Sequence, residues 1–143
     1  MTTTAEIVSA ITSHHGELQA SLSARVDAVL TAARAVNPYD EAVADLGLLL
    51  ASDIVPHARA EEDVLYAAAT HPTLRPLVAG MLFEHQTLLA LAAELPTVST
   101  GVDAAGVARA IREVFVGTSA GRTSCCCPHS PTTRTSICLR CCR

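Results

Sequence analysis

Three long stretches of this chain carry apolar residues at alternating steps of three and four, and proline-containing connections separate them. The stretches extend to about Ala35, from about Asp40 to Ala69, and from Pro76 to Leu95. This spacing places the apolar side chains on one face of an α-helix, so each stretch predicts an amphipathic helix. A chain built from such helices is predicted to bury their apolar faces against one another.

A fourth apolar period begins with Val107, Ile111 and Val114, and it stops at Gly117. Three full helices and one that begins, with short connections between them, predict an all-α fold. The expected architecture is an antiparallel up-down-up-down four-helix bundle whose fourth helix is truncated. We predict that residues 1–117 form this bundle and that residues 118–143 are an irregular tail, disordered or poorly packed.

The composition supports helices that pack through aliphatic seams. Half of the 143 residues are apolar, yet only 3 % are aromatic, and the formal net charge is -4. An acidic body without a basic stripe argues against a nucleic-acid partner. We expect no stretch to span a bilayer, no export signal and no membrane partner, and therefore a cytoplasmic protein.

Two polar residues, His57 and Glu61, interrupt the apolar face of the second stretch. Their spacing of four places both on the face that also carries Leu50 and Ile54. A carboxylate that faces a core is costly unless something neutralises it. We therefore interpret His57 and Glu61 as metal ligands, and we expect Pro56 to kink the helix immediately before His57.

His15 and His85 occupy seam positions near the middle of the first and third helices. A single seam histidine is more often a packed core residue than a ligand. In an antiparallel bundle, however, His15, His57 and His85 fall at similar depth and Glu61 joins them, which predicts a metal site. The alternative to His15 is His14, which completes the same period. We prefer His15 because His15-Gly-Glu-Leu18 repeats the pattern of His85-Gln-Thr-Leu88.

Imidazole and carboxylate ligands without thiolates suit Fe, Mn, Zn or Cu rather than a structural zinc site. Three further carboxylates lie near the candidate ligands, namely Glu62, Asp63 and Glu84. Each is either a solvated surface residue or a hydrogen-bond partner that orients an imidazole. For Asp63 we expect the solvated role.

Three motifs in this order resemble a hemerythrin-like (HHE cation-binding) domain: His14-His15-x-x-Leu18, His57-x-x-x-Glu61-Glu62 and Glu84-His85-x-x-Leu88. The resemblance covers roughly residues 1–117. It implies a non-heme di-iron centre in a four-helix bundle, which binds, senses or carries oxygen or a similar diatomic at an open coordination position. It also implies that His15, His57, Glu61 and His85 are ligands, with Glu61 bridging or terminal. Ferritin-like di-iron bundles are the alternative scaffold, but their Glu-x-x-His pairs are absent from this sequence.

The chain departs from this family after Gly117. The family carries a second His-x-x-x-Glu on its fourth helix, whereas residues 118–143 lack that motif and any acidic residue and contain all six cysteines. A shifted reading frame would account for the change. In this frame each new codon consists of the last base of one original codon and the first two bases of the next. Because cysteine codons are TGT or TGC, the shifted frame reads leucine at Cys126 and Cys127 whichever codons were used. The same frame permits histidine at Thr118 and glutamate at Arg122.

We therefore hypothesise that the tail is a frameshift product, real or from a sequencing error, and that loss of fourth-helix ligands impairs the protein. The nucleotide sequence around codon 117 decides this. The competing interpretation is a genuine zinc module formed by the tail cysteines and His129. Only Cys138-x-x-Cys141 has the paired spacing typical of such modules.

The sequence leaves two other functional classes open. The chain is a metal-free helical interaction module if its seam histidines are merely packed, or it is a translated product without a function of its own. The body has no nucleophile arrangement and no glycine-rich phosphate loop, so we do not expect an enzyme acting on an organic substrate. A bundle whose fourth helix is incomplete leaves an apolar seam of the other helices exposed, and we expect self-association through this seam.

Overall fold

The computed structural model describes residues 4–35, 38–67 and 69–125, and throughout this part of the chain every regular element is helical, with no strand. The predicted all-α class is confirmed. The elements follow one another as α1 Thr4–Arg34, α2 Asp40–Leu49, a π-helical turn Leu50–Ile54, α3 Val55–Glu61, a second π-helical turn Glu62–Tyr66, a 3₁₀ turn Pro72–Leu74, α4 Arg75–Glu94, a 3₁₀ turn Leu95–Thr97 and α5 Gly101–Cys125.

The run from α2 to the second π-helical turn is one helical stretch with two changes of geometry. Pro56 has no N–H, and its ring would clash with the carbonyl of Ser52 in a regular α-helix. The turn Leu50–Ile54 precedes it, and the N–H of Val55 bonds to the carbonyl of Leu50, five residues back. The disturbance expected before His57 thus takes the form of a π-helical turn, a geometry that is frequent at functional sites.

The core lies where α5 packs against α1 and α4 and where α1 packs against α2. Its members are aliphatic apart from one phenylalanine, in agreement with the seams that the sequence predicts. The largest fully buried side chains are Leu22, Val26, Val29, Leu46, Leu50, Ile54, Leu95 and Ile111. Burial of apolar area is the dominant favourable term for such a fold.

Helices α1 and α5 run in opposite directions. At the beginning of α5, a Cβ on Gly101 would lie 3.5 Å from the Cα of Ala33 near the end of α1. Farther along α5, Arg112 Nη1 donates to Asp27 Oδ1 at 2.8 Å. Later residues of α5 therefore meet earlier residues of α1.

The predicted end of the fourth helix near Gly117 is wrong, because α5 continues to Cys125. Loss of the apolar period removes packing support beyond Gly117, but no residue before Pro128 sterically forbids a helix. The remainder of the predicted tail, residues 126–143, lies outside the described residues.

The expectation that no stretch could span a bilayer is also wrong, because one helical stretch is long and apolar enough to do so by length and composition alone. This stretch, Pro72–Thr97, has 26 residues. Its most apolar segment has a mean hydropathy of 1.2, and 11 % of that segment is buried. A single such helix is weak evidence for a membrane span, since core helices of soluble proteins satisfy the same criterion. What the low burial shows is that α4 exposes apolar side chains.

Two leucines test the assignment of the core. Leu22 has no exposed surface, whereas 66 % of Leu48 is exposed. We expect Leu22→Ala to lower the free energy of unfolding by about 2–5 kcal/mol, because it leaves a cavity. Leu48→Ala should change it by about 0.5 kcal/mol or less. Urea unfolding followed by circular dichroism measures both, and equal effects would contradict this packing.

Candidate metal centre

Three polar atoms from two helices face one another at short range. His15 Nε2 of α1 lies 2.7 Å from His57 Nε2 of α3 and 3.0 Å from Glu61 Oε1. His57 Nε2 lies 3.4 Å from the same carboxylate oxygen. The three atoms form a triangle of potential metal ligands.

The dimensions of this triangle fit a first-row transition metal. With metal–ligand bonds of about 2.1 Å, neighbouring ligand atoms lie about 3.0 Å apart in octahedral geometry and about 3.4 Å apart in tetrahedral geometry. The observed sides span 2.7 to 3.4 Å. Two imidazoles and one carboxylate on a single face are also the ligand set of non-heme Fe(II) centres.

The other oxygen of Glu61 faces a third histidine. Glu61 Oε2 lies 3.5 Å from His85 Nε2 of α4, and the Tyr66 hydroxyl donates to it at 3.4 Å. The Tyr66 ring also stacks on the ring of His85, with centroids 5.6 Å apart. Glu61 therefore joins the two halves of the cluster.

His85 is held from its opposite side by Glu62. Its Nδ1–H donates to Glu62 Oε1 at 3.0 Å, which leaves Nε2 directed at Glu61 and Tyr66. Burial lowers the pKa of His85, but hydrogen bonds and the charges of Glu61 and Glu62 together raise it above its usual value. The carboxylate of Glu62 thus fixes the imidazole in one orientation and makes it a better electron donor.

The cluster is buried although its members are polar. His15, Glu61 and His85 are 8 %, 4 % and 3 % exposed, and they are the buried polar residues of the described part of the chain. Removing a carboxylate from water is costly unless a positive charge or several donors compensate. A bound cation would supply this compensation at the triangle.

The structure brings the four predicted ligands together. It places His15 in the triangle and leaves His14 exposed, with its ring 5.0 Å from that of His57. His85 joins through Glu61 and is not part of the triangle itself. Of the additional carboxylates, Glu62 contacts His85, whereas Asp63 is exposed.

Sequence reasoning missed Tyr66. In a regular α-helix, residues five apart point in different directions, so the spacing from Glu61 to Tyr66 suggests no contact. The intervening residues form the π-helical turn Glu62–Tyr66, and its extra residue per turn brings the Tyr66 hydroxyl back to the side of Glu61. No local sequence signal announces this turn, because proline explains only the first of the two.

Comparison with protein-family models identifies the family of this chain. The model of the hemerythrin HHE cation binding domain matches residues 6–117, well over half of the chain. The chain belongs to the hemerythrin HHE family. No curated protein and no solved structure matches it. Cation binding is the property for which this HHE domain is named, and its His15, His57 and Glu61 form a group that could hold a metal ion.

The contact between His85 and Glu62 generates a prediction for this HHE protein. Glu62→Gln should weaken metal binding by roughly 10- to 100-fold, because an amide orients and polarises the imidazole less well than a carboxylate. The control is Asp63→Asn, which removes an adjacent exposed charge and should leave the affinity within about twofold. Equilibrium dialysis against Fe(II) measures both, and equal losses would show that Glu62 acts only through net charge.

Proposed function

We propose that this HHE protein is a non-heme iron protein that binds, senses or carries oxygen or a similar diatomic, with His15, His57, Glu61 and His85 as ligands. The observation that carries the proposal is the triangle of two imidazole nitrogens and one carboxylate oxygen. Iron is favoured because this ligand set leaves coordination positions open and is typical of non-heme Fe(II). When bound, iron supplies reversible redox binding of the diatomic.

The two oxygens of Glu61 support a site for two metal ions. Oε1 faces His15 and His57, whereas Oε2 faces His85. A carboxylate with ligand candidates on both sides suits a bridging role between two ions. His85, positioned by Glu62, would then serve the second ion together with Glu61.

A cleft of about 360 Å³ supports access by a small neutral ligand. It lies between α1 and α3 and reaches two of the proposed ligands; it is lined by Ala10, Ile11, His14, His57, Ala60 and Glu61. Its remaining walls are mostly methyl groups, which suit an uncharged diatomic better than a hydrated anion. Apart from the two histidines, no basic side chain lines it in the described part of the chain.

The register of α5 supports the proposal that this chain is impaired. Both helices rise by about 1.5 Å per residue, so α5 can be counted against α1 from the two contacts between them. Gly101 lies beside Ala33, and Arg112 lies beside Asp27. Counting forward along α5 and backward along α1 from each of these contacts places positions 118 and 122 opposite residues 12–21 of α1. This range includes His15. Positions 118 and 122 also follow Phe115, which is buried, at helical steps of three and four. This count supports the proposal that the missing family motif belongs near the level of the metal site.

Adjacent histidines provide a matched test of the ligand assignment. His15→Leu should weaken Fe(II) binding by more than the roughly 10- to 100-fold typical for loss of a group that only orients a ligand. His14→Leu should leave binding within about twofold, because His14 is exposed. Anaerobic equilibrium dialysis with iron analysis measures both. A stabilised His15→Leu variant with unchanged iron binding would favour the metal-free interaction module instead.

Restoring the fourth-helix motif tests the impairment. The double variant Thr118→His with Arg122→Glu should bind iron more tightly than the original chain and hold about two irons per chain. The order-matched control Thr118→Glu with Arg122→His keeps the composition but exchanges the positions. No iron in the restored protein would refute the di-iron proposal. A shifted gene frame with a stop codon, or without His-x-x-x-Glu before position 130, would refute the frameshift.

A further inference from the structure

Helix α4 carries two seams with the same spacing on opposite sides. The inner seam packs into the bundle and comprises Val78, Met81, His85, Leu88 and Ala92, and it continues to Leu95 in the 3₁₀ turn that follows α4. The second, which we name the outer seam, also advances by alternating steps of three and four and comprises Pro76, Ala79, Phe83, Gln86, Ala90 and Ala93. All six residues of the outer seam are exposed. Five of them are apolar and Gln86 is polar, and mainly apolar positions repeating at this spacing are typical of a helix that packs against another helix.

The exposed side of α4 lacks the charges that a solvated helix normally carries. Between Arg75 and Glu94, the one carboxylate is Glu84, which is half-buried; no exposed position there is charged, and Phe83 is 69 % exposed. By contrast, α5 exposes Asp103, Arg109 and Glu113. Because an amphipathic surface helix is usually polar on its outer face, the apolar outside of α4 indicates a partner surface.

We propose that the outer seam of α4 is the interface of a symmetric antiparallel homodimer of this chain. Charge complementarity identifies a second copy as the occupant. Arg75 and Glu94 stand at the two ends of α4, and both are exposed. Within the described residues neither forms an ion pair with another side chain. Antiparallel pairing of two α4 helices would place each Arg75 opposite the partner's Glu94.

The same register makes the outer seam self-complementary. Every member then faces another member of the seam: Pro76 faces the partner's Ala93, Ala79 faces the partner's Ala90, and Phe83 faces the partner's Gln86. A two-fold axis through the midpoint of α4 therefore maps the seam onto itself, as an isologous interface requires. The alanines allow the two backbones to approach closely, and each Phe83 fills the space between them.

The size of this interface sets the expected strength of association. Two helices of 20 residues meet over a length of about 30 Å, and the area that one such helix pair buries lies at the low end of specific interfaces. The dimer is therefore reversible and depends on protein concentration. Because His85 belongs to the inner seam, dimerisation leaves the metal centre inside each bundle, and the inference does not depend on bound metal.

Sedimentation velocity of the full chain over a range of concentrations tests the dimer. A reductant must be present throughout, so that the tail cysteines cannot link two chains. Phe83→Glu should raise the dimer Kd by about tenfold or more, because it buries two unpaired charges at the axis. The control is Val102→Glu on α5, which alters a residue that is 80 % exposed outside the seam and should leave the Kd unchanged.

A charge exchange tests the register. Arg75→Glu and Glu94→Arg should each weaken the dimer, and the double variant should restore it, since the pair is then reversed. Circular dichroism verifies that each variant is folded. A monomer at all concentrations overturns the proposal, as does a dimer that Phe83→Glu leaves intact. Flotation of the chain with phosphatidylcholine–phosphatidylserine vesicles that Phe83→Glu abolishes, without any dimer in solution, would assign the seam to a membrane surface instead.

Discussion

The carboxylate of Glu61 is buried between three histidines, and the interior of the bundle is arranged around it. Its two oxygens contact side chains from α1, α3 and α4, so one residue connects three separate segments of the chain. A buried carboxylate without compensation destabilises a fold, whereas one that shares a cation or several donors does not. Assembly of the bundle and formation of the candidate metal centre therefore share these contacts.

Much of this arrangement could be predicted from apolar periodicity and polar interruptions. The seam spacing indicated α1, α4 and the all-α class, and His57 and Glu61 stood out because they lie on an apolar face. The preference for His15 over His14 agrees with the observed burial of His15. The predicted helical class is confirmed and the predicted side chains lie close together, because helical spacing determines which side chains share a face.

The remainder could not be read from spacing, because it depends on departures from the α-helix. Tyr66 reaches Glu61 only through a π-helical turn, and no residue pattern at Glu62–Tyr66 marks that turn. The extension of α5 to Cys125 could not be predicted from periodicity, because the helix continues after its apolar period ends. Periodicity reports tertiary support for a helix, whereas its end requires a cap or a steric block.

The two π-helical turns separate the short helix α3 from the helical segments before and after it. A π-helical turn contains one more residue than an α-helical turn would, so each turn changes the rotational phase of the next helical segment. The rotational phase of the seven-residue helix α3, which carries His57 and Glu61, is therefore set separately from that of α2. Substitutions within these turns can re-aim the ligand pair while the leucines of α2 keep their places in the core. The geometry of the candidate metal centre can accordingly change without a new arrangement of the bundle.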